Sequence, residues 1–181
     1  MSKPMHHSPE ILEKAQRIKL LLLDVDGVLT NGGLHYSDQG EQTKTFNTLD
    51  GHGLKLLQAH DVHVAIISGR DGLALRKRLS DLGISRVYAG VHDKKKAAQE
   101  LLASLGLQWP QVAAMGDDWP DLPMLMPAGL SAAPPDAHED VLTRVDWVSS
   151  RAGGNGAVRD LCDLLLLGRG LYESALQEAL K

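Results

Sequence analysis

Short runs of consecutive apolar residues alternate along this chain with longer segments in which apolar residues recur every three or four positions. IKLLLLDV at 18–25 is apolar on successive residues and too short for a helix, so it reads as a strand buried on both faces. VHVAIISG (62–69), ISRVYAG (84–90), QVAAMGD (111–117), GLSAAPP (129–135) and DWVSS (146–150) read the same way. Helices are predicted between them. LDGHGLKLLQAHD (49–61) reads as a helix that starts through Gly51 and Gly53. DGLALRKRLSDLG (71–83) places Leu73, Leu79 and Leu82 on its apolar side and stops at Gly83. DKKKAAQELLASLG (93–106) ends at Gly106, DLPMLMPAG (121–129) is a short helix broken by prolines, and AVRDLCDLLLLGRG (157–170) is a long one. LHYSDQGEQTKTFN (34–47) carries Asp38-Gln39-Gly40 between two polar, β-prone segments, a hairpin signal.

Alternation of apolar strands and amphipathic helices predicts an α/β fold: a Rossmann-like parallel sheet with helices on both faces and a protruding β-hairpin over 33–47. Residues 1–17 form an N-terminal arm whose short helix is capped by Ser8 and opened by Pro9. Residues 168–181 form a C-terminal tail with helical potential. Without repeats, low-complexity stretches or a linker, 181 residues read as a single domain.

A formal charge of −4 and the lack of a Lys/Arg block argue against a nucleic-acid partner. The longest apolar run near the start, Leu20–Leu23, is too short for a signal peptide or membrane span, so no membrane partner and a cytoplasmic location are expected. The single cysteine, Cys162, excludes an internal disulfide and reads as a small core residue. His6-His7 reads as part of a mobile terminus.

The polar punctuation falls where the strands end. Alternation sends Asp24 and Asp26 to one side of the first strand's end, and two such charges need a cation or a shared proton. Asp117 and Asp118 end a later strand. Carboxylates gathered without His or Cys favour Mg²⁺, which keeps waters and accepts a substrate phosphate. DxDG alone also reads as a turn or N-cap; the second acidic cluster is what turns the balance toward a metal.

Ser68-Gly69-Arg70 offers a hydroxyl and free N–H groups, either as a phosphate site or as a plain N-cap. Arg70 and Arg78, eight apart, would share a helical face and could clamp an anion. Of Lys94-Lys95-Lys96, Lys94 lies nearest the sheet edge. RAGGNGAVR (151–159) lacks both the P-loop Lys-Ser/Thr and the dinucleotide fingerprint, and reads equally as a flexible helix start.

Together these segments resemble the haloacid dehalogenase-type phosphatase superfamily. DxDG[VT]xT falls at Asp24–Thr30, the Ser/Thr at Ser68, the Lys at Lys94, and GDDxxD at Gly116–Asp121, in that order. FNTLDGHG (46–53), SGR, GDDWPD and RAGGNGAVRDLCDLLL further resemble its capless 3-deoxy-D-manno-octulosonate 8-phosphate phosphatase family, over about Ile18 to Leu167. The resemblance implies a Mg²⁺-dependent phosphatase without a cap domain, active in lipopolysaccharide sugar synthesis. It also implies a homotetramer whose hairpins cover neighbouring active sites.

The resemblance makes Asp24 the nucleophile and a metal ligand. Asp26 gives its carbonyl to the metal and its side chain to acid–base work. Ser68 and Lys94 hold phosphoryl oxygens, and Asp117 completes the metal set. Asn47, Asp50, Gly51, Lys55, Arg70 and Arg78 match substrate-contacting positions. Leu49 and Lys55 stand where the family commonly has arginine, which weakens bidentate carboxylate recognition. The alternatives are a phosphatase for another acidic sugar phosphate such as a sialic-type 9-phosphate, a catalytically idle assembly domain, and a phospho-accepting signalling domain.

Overall fold

The computed structural model describes residues 7–181. Helix α1 (Pro9–Gln16) starts at Ser8, whose hydroxyl accepts from the Ile11 N–H at 3.3 Å. Strand β1 (Leu20–Leu23) follows, then the hairpin strands β2 (His35–Ser37) and β3 (Gly40–Thr43) and helix α2 (Thr48–Ala59). Next come β4 (His63–Ser68), α3 (Leu73–Asp81), β5 (Arg86–Ala89), α4 (Lys94–Leu105) and β6 (Val112–Met115). The chain continues through α5 (Leu122–Leu125), β7 (Leu130–Ala133), α6 (Glu139–Leu142), β8 (Trp147–Val148), α7 (Ala157–Gly168) and α8 (Tyr172–Ala179).

Six strands form one sheet in the order β5-β4-β1-β6-β7-β8, all pairs parallel. The hairpin β2–β3 is a separate antiparallel ribbon. In β1, Leu21 and Leu23 face a core built with Leu54 and Leu57 of α2, Leu79 of α3 and Leu161 and Leu165 of α7. Leu20 and Leu22 face the opposite core, with Ala98 and Leu101 of α4 and Met124 of α5. Both faces of β1 are therefore buried, which is why its sequence does not alternate. From β1 the chain adds β4 and β5 on one side; α4 then crosses back to β6 on the other. The order reverses between β1 and β6, and the crevice beyond their carboxyl ends is where such a sheet receives a ligand.

Three local expectations are corrected. Helix α2 starts earlier than Gly51: Asn47 caps it by accepting the Leu49 N–H at 2.8 Å. Gly51 and Gly53 lie inside the helix, where a Cβ would strike Arg78 and Cys162. Leu73 is 88% exposed, and Leu75 takes the buried place instead. Leu73 precedes Leu82 by about two and a half helical turns, so it faces away from the side that Leu75, Leu79 and Leu82 bury. His7 is not loose: its ring packs on Trp147 with centroids 6.0 Å apart, and burial lowers its pKa. His6 lies outside the described residues.

Candidate active site

Strands β1 and β6 are hydrogen-bonded neighbours in register, so the residues that follow them emerge side by side. The Asp24 N–H donates to the Met115 carbonyl at 3.1 Å, carrying the ladder one step beyond the strands. Oxygens of Asp24, Asp117 and Asp121 then lie within 4.8 Å of one another. They line a cleft of about 410 Å³ with Asp26, Ser68, Arg70 and Lys94.

Lys94 enters this acidic cluster from the first position of α4. Its Nζ lies 2.7 Å from Asp24 Oδ1 and 2.5 Å from Asp121 Oδ1, with the side chain 5% exposed. Burial opposes the Lys94 charge, but Asp121 and Asp24 outweigh it and push the pKa up. Asp121 also accepts the Asp117 N–H at 2.9 Å, and so organises the turn after β6. Although Asp121 ends the GDDxxD motif, it was not expected as a site residue; its spacing alone suggests a cap, and Asp118 and Asp121 do form a capping box.

The carboxylates crowd one another. Burial, then Asp121, raises the Asp24 pKa to about 6. Burial, then Asp121 and Asp24, raises that of Asp117 to about 8. No hydrogen-bond donor reaches the Asp117 carboxylate among the described residues. Hard oxygens in this electrostatic state, buried on Asp24 and Asp121 and half-buried on Asp117, fit a divalent cation of the Mg²⁺ kind.

Glycine shapes the floor. Gly27 has φ +86°, and a Cβ there would lie 2.0 Å from Asp117 Oδ2. Behind it, a Cβ at Gly153 would lie 1.9 Å from the Gly27 carbonyl oxygen. The glycine-rich segment 151–156 is thus a packing element against the loop after β1, tied to it by the Gly154 N–H to Val28 carbonyl bond at 2.9 Å.

Ser68 is buried at the end of β4, and its hydroxyl accepts the Arg70 N–H at 3.2 Å. It does not cap α3, whose N-cap is Gly72. Because α3 starts at Leu73, Arg70 precedes the helix and shares no helical face with Arg78. Arg70 stands exposed at the cleft, its Nε 3.8 Å from Asp26 Oδ2 and its Nη1 3.3 Å from the Tyr36 hydroxyl.

The remaining expected residues lie apart from the cleft lining. Asn47, Asp50, Gly51 and Arg78 gather beside Phe46, with Arg78 Nη2 donating to the Asn47 carbonyl at 3.2 Å. Asp50 is buried, accepts the Arg159 N–H at 2.8 Å, and supports the start of α7. Lys55 is exposed on α2. Lys44 was not anticipated at all. It follows β3, and its Nζ lies 2.5 Å from Asp26 Oδ1 and 2.7 Å from Glu41.

Comparison with known proteins finds relatives in both sequence and fold. The family model of haloacid dehalogenase-like hydrolases matches residues 86–160. The chain is 44% identical over 166 residues to the 3-deoxy-D-manno-octulosonate 8-phosphate phosphatase KdsC of Yersinia pestis, spanning 92% of this chain and 89% of that protein. It is similar to the Moraxella catarrhalis 3-deoxy-D-manno-octulosonate 8-phosphate phosphatase solved with magnesium ion, phosphate ion and KDO. That match has a TM-score of 0.92 and 36% identity over 96% of this chain and 99% of the other. The cobalt-bound Haemophilus influenzae phosphatase matches with a TM-score of 0.89 and 42% identity, over 93% and 99% of the two chains.

Proposed function

The chain belongs to the 3-deoxy-D-manno-octulosonate 8-phosphate phosphatase family of haloacid dehalogenase-like hydrolases, and on that premise we propose that it hydrolyses this sugar phosphate to the free sugar acid and phosphate. The observation that carries the reading is the meeting of Asp24, Asp117, Asp121 and Lys94 in one cleft beyond β1 and β6. Mg²⁺ is the cofactor; Asp24, Asp117 and the Asp26 carbonyl would hold it, and when bound it would offset the repulsion between carboxylate and phosphate.

An Asp24 carboxylate oxygen attacks phosphorus in line, and the phosphorus–oxygen bond to the sugar breaks. The leaving alkoxide takes a proton from Asp26. Ser68 and Lys94 hold the equatorial phosphoryl oxygens, where charge accumulates. A water then attacks the aspartyl-phosphate, returns a proton to Asp26 and frees phosphate and Asp24. Arg70 stands at the cleft mouth where the sugar acid would enter.

Sugar recognition is the role of Asn47, Gly51, Lys55 and Arg78, presented to the substrate in an assembly, with Asp50 holding that segment from beneath. The assembly is a homotetramer in which neighbouring hairpins cover the clefts. Leu34, Tyr36, Leu49 and Leu73 support it: all four are exposed apolar or aromatic side chains on the hairpin or near the starts of α2 and α3. The chain is one domain, with its N-terminal arm, hairpin and C-terminal tail as appendages. It works in the cytoplasm, where sugar phosphates are made. Among the described residues no helix is long and apolar enough to cross a membrane.

Phosphate release from a panel of sugar acid phosphates, with and without Mg²⁺, tests the proposal. Mg²⁺-dependent turnover with preference for the octulosonate 8-phosphate is expected. Preference for a nine-carbon 9-phosphate would move the substrate assignment, and no turnover on any would leave an assembly role. A long-lived aspartyl-phosphate would indicate signalling.

A further inference from the structure

Asp26 does not stand free in the cleft. Its Oδ1 accepts from Lys44 Nζ at 2.5 Å, while Oδ2 lies 3.8 Å from the Arg70 guanidinium at the cleft mouth. Lys44 is itself held. Its side chain is only 4% exposed, and its Nζ lies 2.7 Å from Glu41 of β3. Such burial of a long cationic side chain carries an entropic and a desolvation cost, which the two carboxylates offset. Lys44 follows the hairpin, eighteen residues from Asp26, so the contact joins the base of the hairpin to the loop after β1.

We infer that Lys44 is a positioning residue for the proton-transfer group of this reaction. A carboxylate has two oxygens, and an acid–base group must present one of them to the leaving oxygen and to the attacking water within hydrogen-bond reach. Lys44 engages Oδ1 and thereby fixes the plane of the carboxylate. Oδ2 is left on the side of Arg70 at the cleft mouth, turned toward where the leaving oxygen and the attacking water would stand, while Oδ1 keeps its bond to Lys44. Glu41 keeps the ammonium from swinging into the cleft, where it would compete for phosphate. The base of the hairpin thus acts on chemistry in its own subunit, apart from any cover it gives a neighbour. The inference rests on the phosphatase reading above.

The test compares Lys44→Met, Lys44→Arg and Glu41→Gln with the parent enzyme at saturating Mg²⁺, after melting curves and size-exclusion chromatography confirm fold and assembly. In Lys44→Met, kcat on the sugar phosphate should fall roughly tenfold to hundredfold, the lower part of the range for a misplaced acid–base group, with KM nearly unchanged. On p-nitrophenyl phosphate, whose leaving group needs no proton, the first step should survive and the second should slow. Rapid mixing should then show a burst of about one p-nitrophenolate per site, absent from the parent. Lys44→Arg should recover part of kcat, and Glu41→Gln should shift the same quantities less.

The inference is overturned if Lys44→Met leaves kcat unchanged, raises KM alone, or slows both substrates equally without a burst. Should Lys44→Met fail to fold, Glu41→Gln and Lys44→Arg carry the same readouts, and normal kcat with no burst in both would equally overturn it. The phosphatase reading fails separately, if the parent enzyme shows no Mg²⁺-dependent turnover or Asp24→Asn retains it.

Discussion

Lys94 Nζ lies 2.7 Å from Asp24 Oδ1, across seventy residues of sequence, and both side chains are buried. The contact joins the first position of α4 to the residue after β1, and so connects electrostatics at the cleft floor with the packing of the sheet. Removing the ammonium leaves Asp24 and Asp121 facing each other uncompensated. Lys94→Met is therefore expected to cost about 3–5 kcal/mol of stability, as for other broken buried pairs. Phosphate release should fall by about a hundredfold or more. Thermal melts with and without Mg²⁺ check the first part: a cation should restore some of the lost melting temperature. Melting unchanged from the parent would show that Lys94 does not compensate these carboxylates.

The raised Asp117 pKa, about 8 against an ordinary 3.8, gives a signed pH effect. Between those values the metal-free folded protein holds a proton that the unfolded chain has released. Stability of the metal-free protein should then fall as pH rises toward about 8, and level off above it. Mg²⁺ needs the ionised carboxylate, so binding at pH 7 should expel close to one proton, and much less at pH 9. Calorimetry in two buffers of different ionisation enthalpy measures the number directly. Absence of proton release at pH 7 would place Asp117 outside the binding event.

Gly27→Ala should damage the site through a single methyl group. At φ +86° an alanine is strained by about 1–2 kcal/mol. Its Cβ would also meet the Asp117 carboxylate at 2.0 Å, so that carboxylate must move. Gly40→Ala is the matched control: φ is +95°, but nothing lies within 4 Å of its Cβ. Both variants should melt lower, and only Gly27→Ala should weaken Mg²⁺ dependence several-fold. Equal activity in the two would separate Gly27 from metal binding.

How much of this was legible in the chain follows from range. β1, its two aspartates and the acidic turn after β6 were legible, because an apolar run and its polar end lie in one short window. Their convergence followed from strand alternation with helices, since parallel strands direct their carboxyl ends to one edge. Arg70 and Arg78 were misread because the eight-residue spacing assumed a helix through both, whereas the backbone stays irregular until Leu73. Leu73 was set on the apolar side with Leu79 and Leu82, but about two and a half turns separate it from Leu82 and carry it to the opposite face. Asp121 hides its role behind a spacing that also makes a cap. Lys44 could not be found by local pattern: its partner, Asp26, is set by where the hairpin folds back, and no periodicity encodes that.

Asp26→Asn separates proton transfer from phosphoryl transfer. The amide keeps the size and the Oδ1-type acceptor that Lys44 requires, but it cannot give or take the proton. Turnover of a sugar phosphate should fall by about 10²–10⁴, the usual contribution of general acid–base catalysis. With p-nitrophenyl phosphate, the transfer to Asp24 should persist and only later hydrolysis should slow. Steady-state rates on both substrates, with single-turnover measurement of p-nitrophenolate, distinguish these steps. Equal loss at the first step on both would remove Asp26 from the acid role.

Leu49 offers the sharpest test of substrate choice. It lies in the first turn of α2, two residues beyond the capping Asn47, and is 46% exposed. The related phosphatases that this segment resembles commonly carry arginine there, a side chain able to hold a carboxylate with two parallel bonds. Leucine cannot, and nearby Lys55 offers only a point charge. Leu49→Arg should then lower KM for a sugar acid phosphate by roughly tenfold to a hundredfold, since a hydrogen bond to a charged group contributes about 1.5–3 kcal/mol. It should leave p-nitrophenyl phosphate, which has no carboxylate, unchanged. A comparison of KM for the eight-carbon and nine-carbon acids in both proteins reads the effect. An equal gain on both would mean that position 49 recognises the carboxylate alone and that chain length is measured elsewhere. No gain on either would mean that α2 does not present this position to the sugar acid.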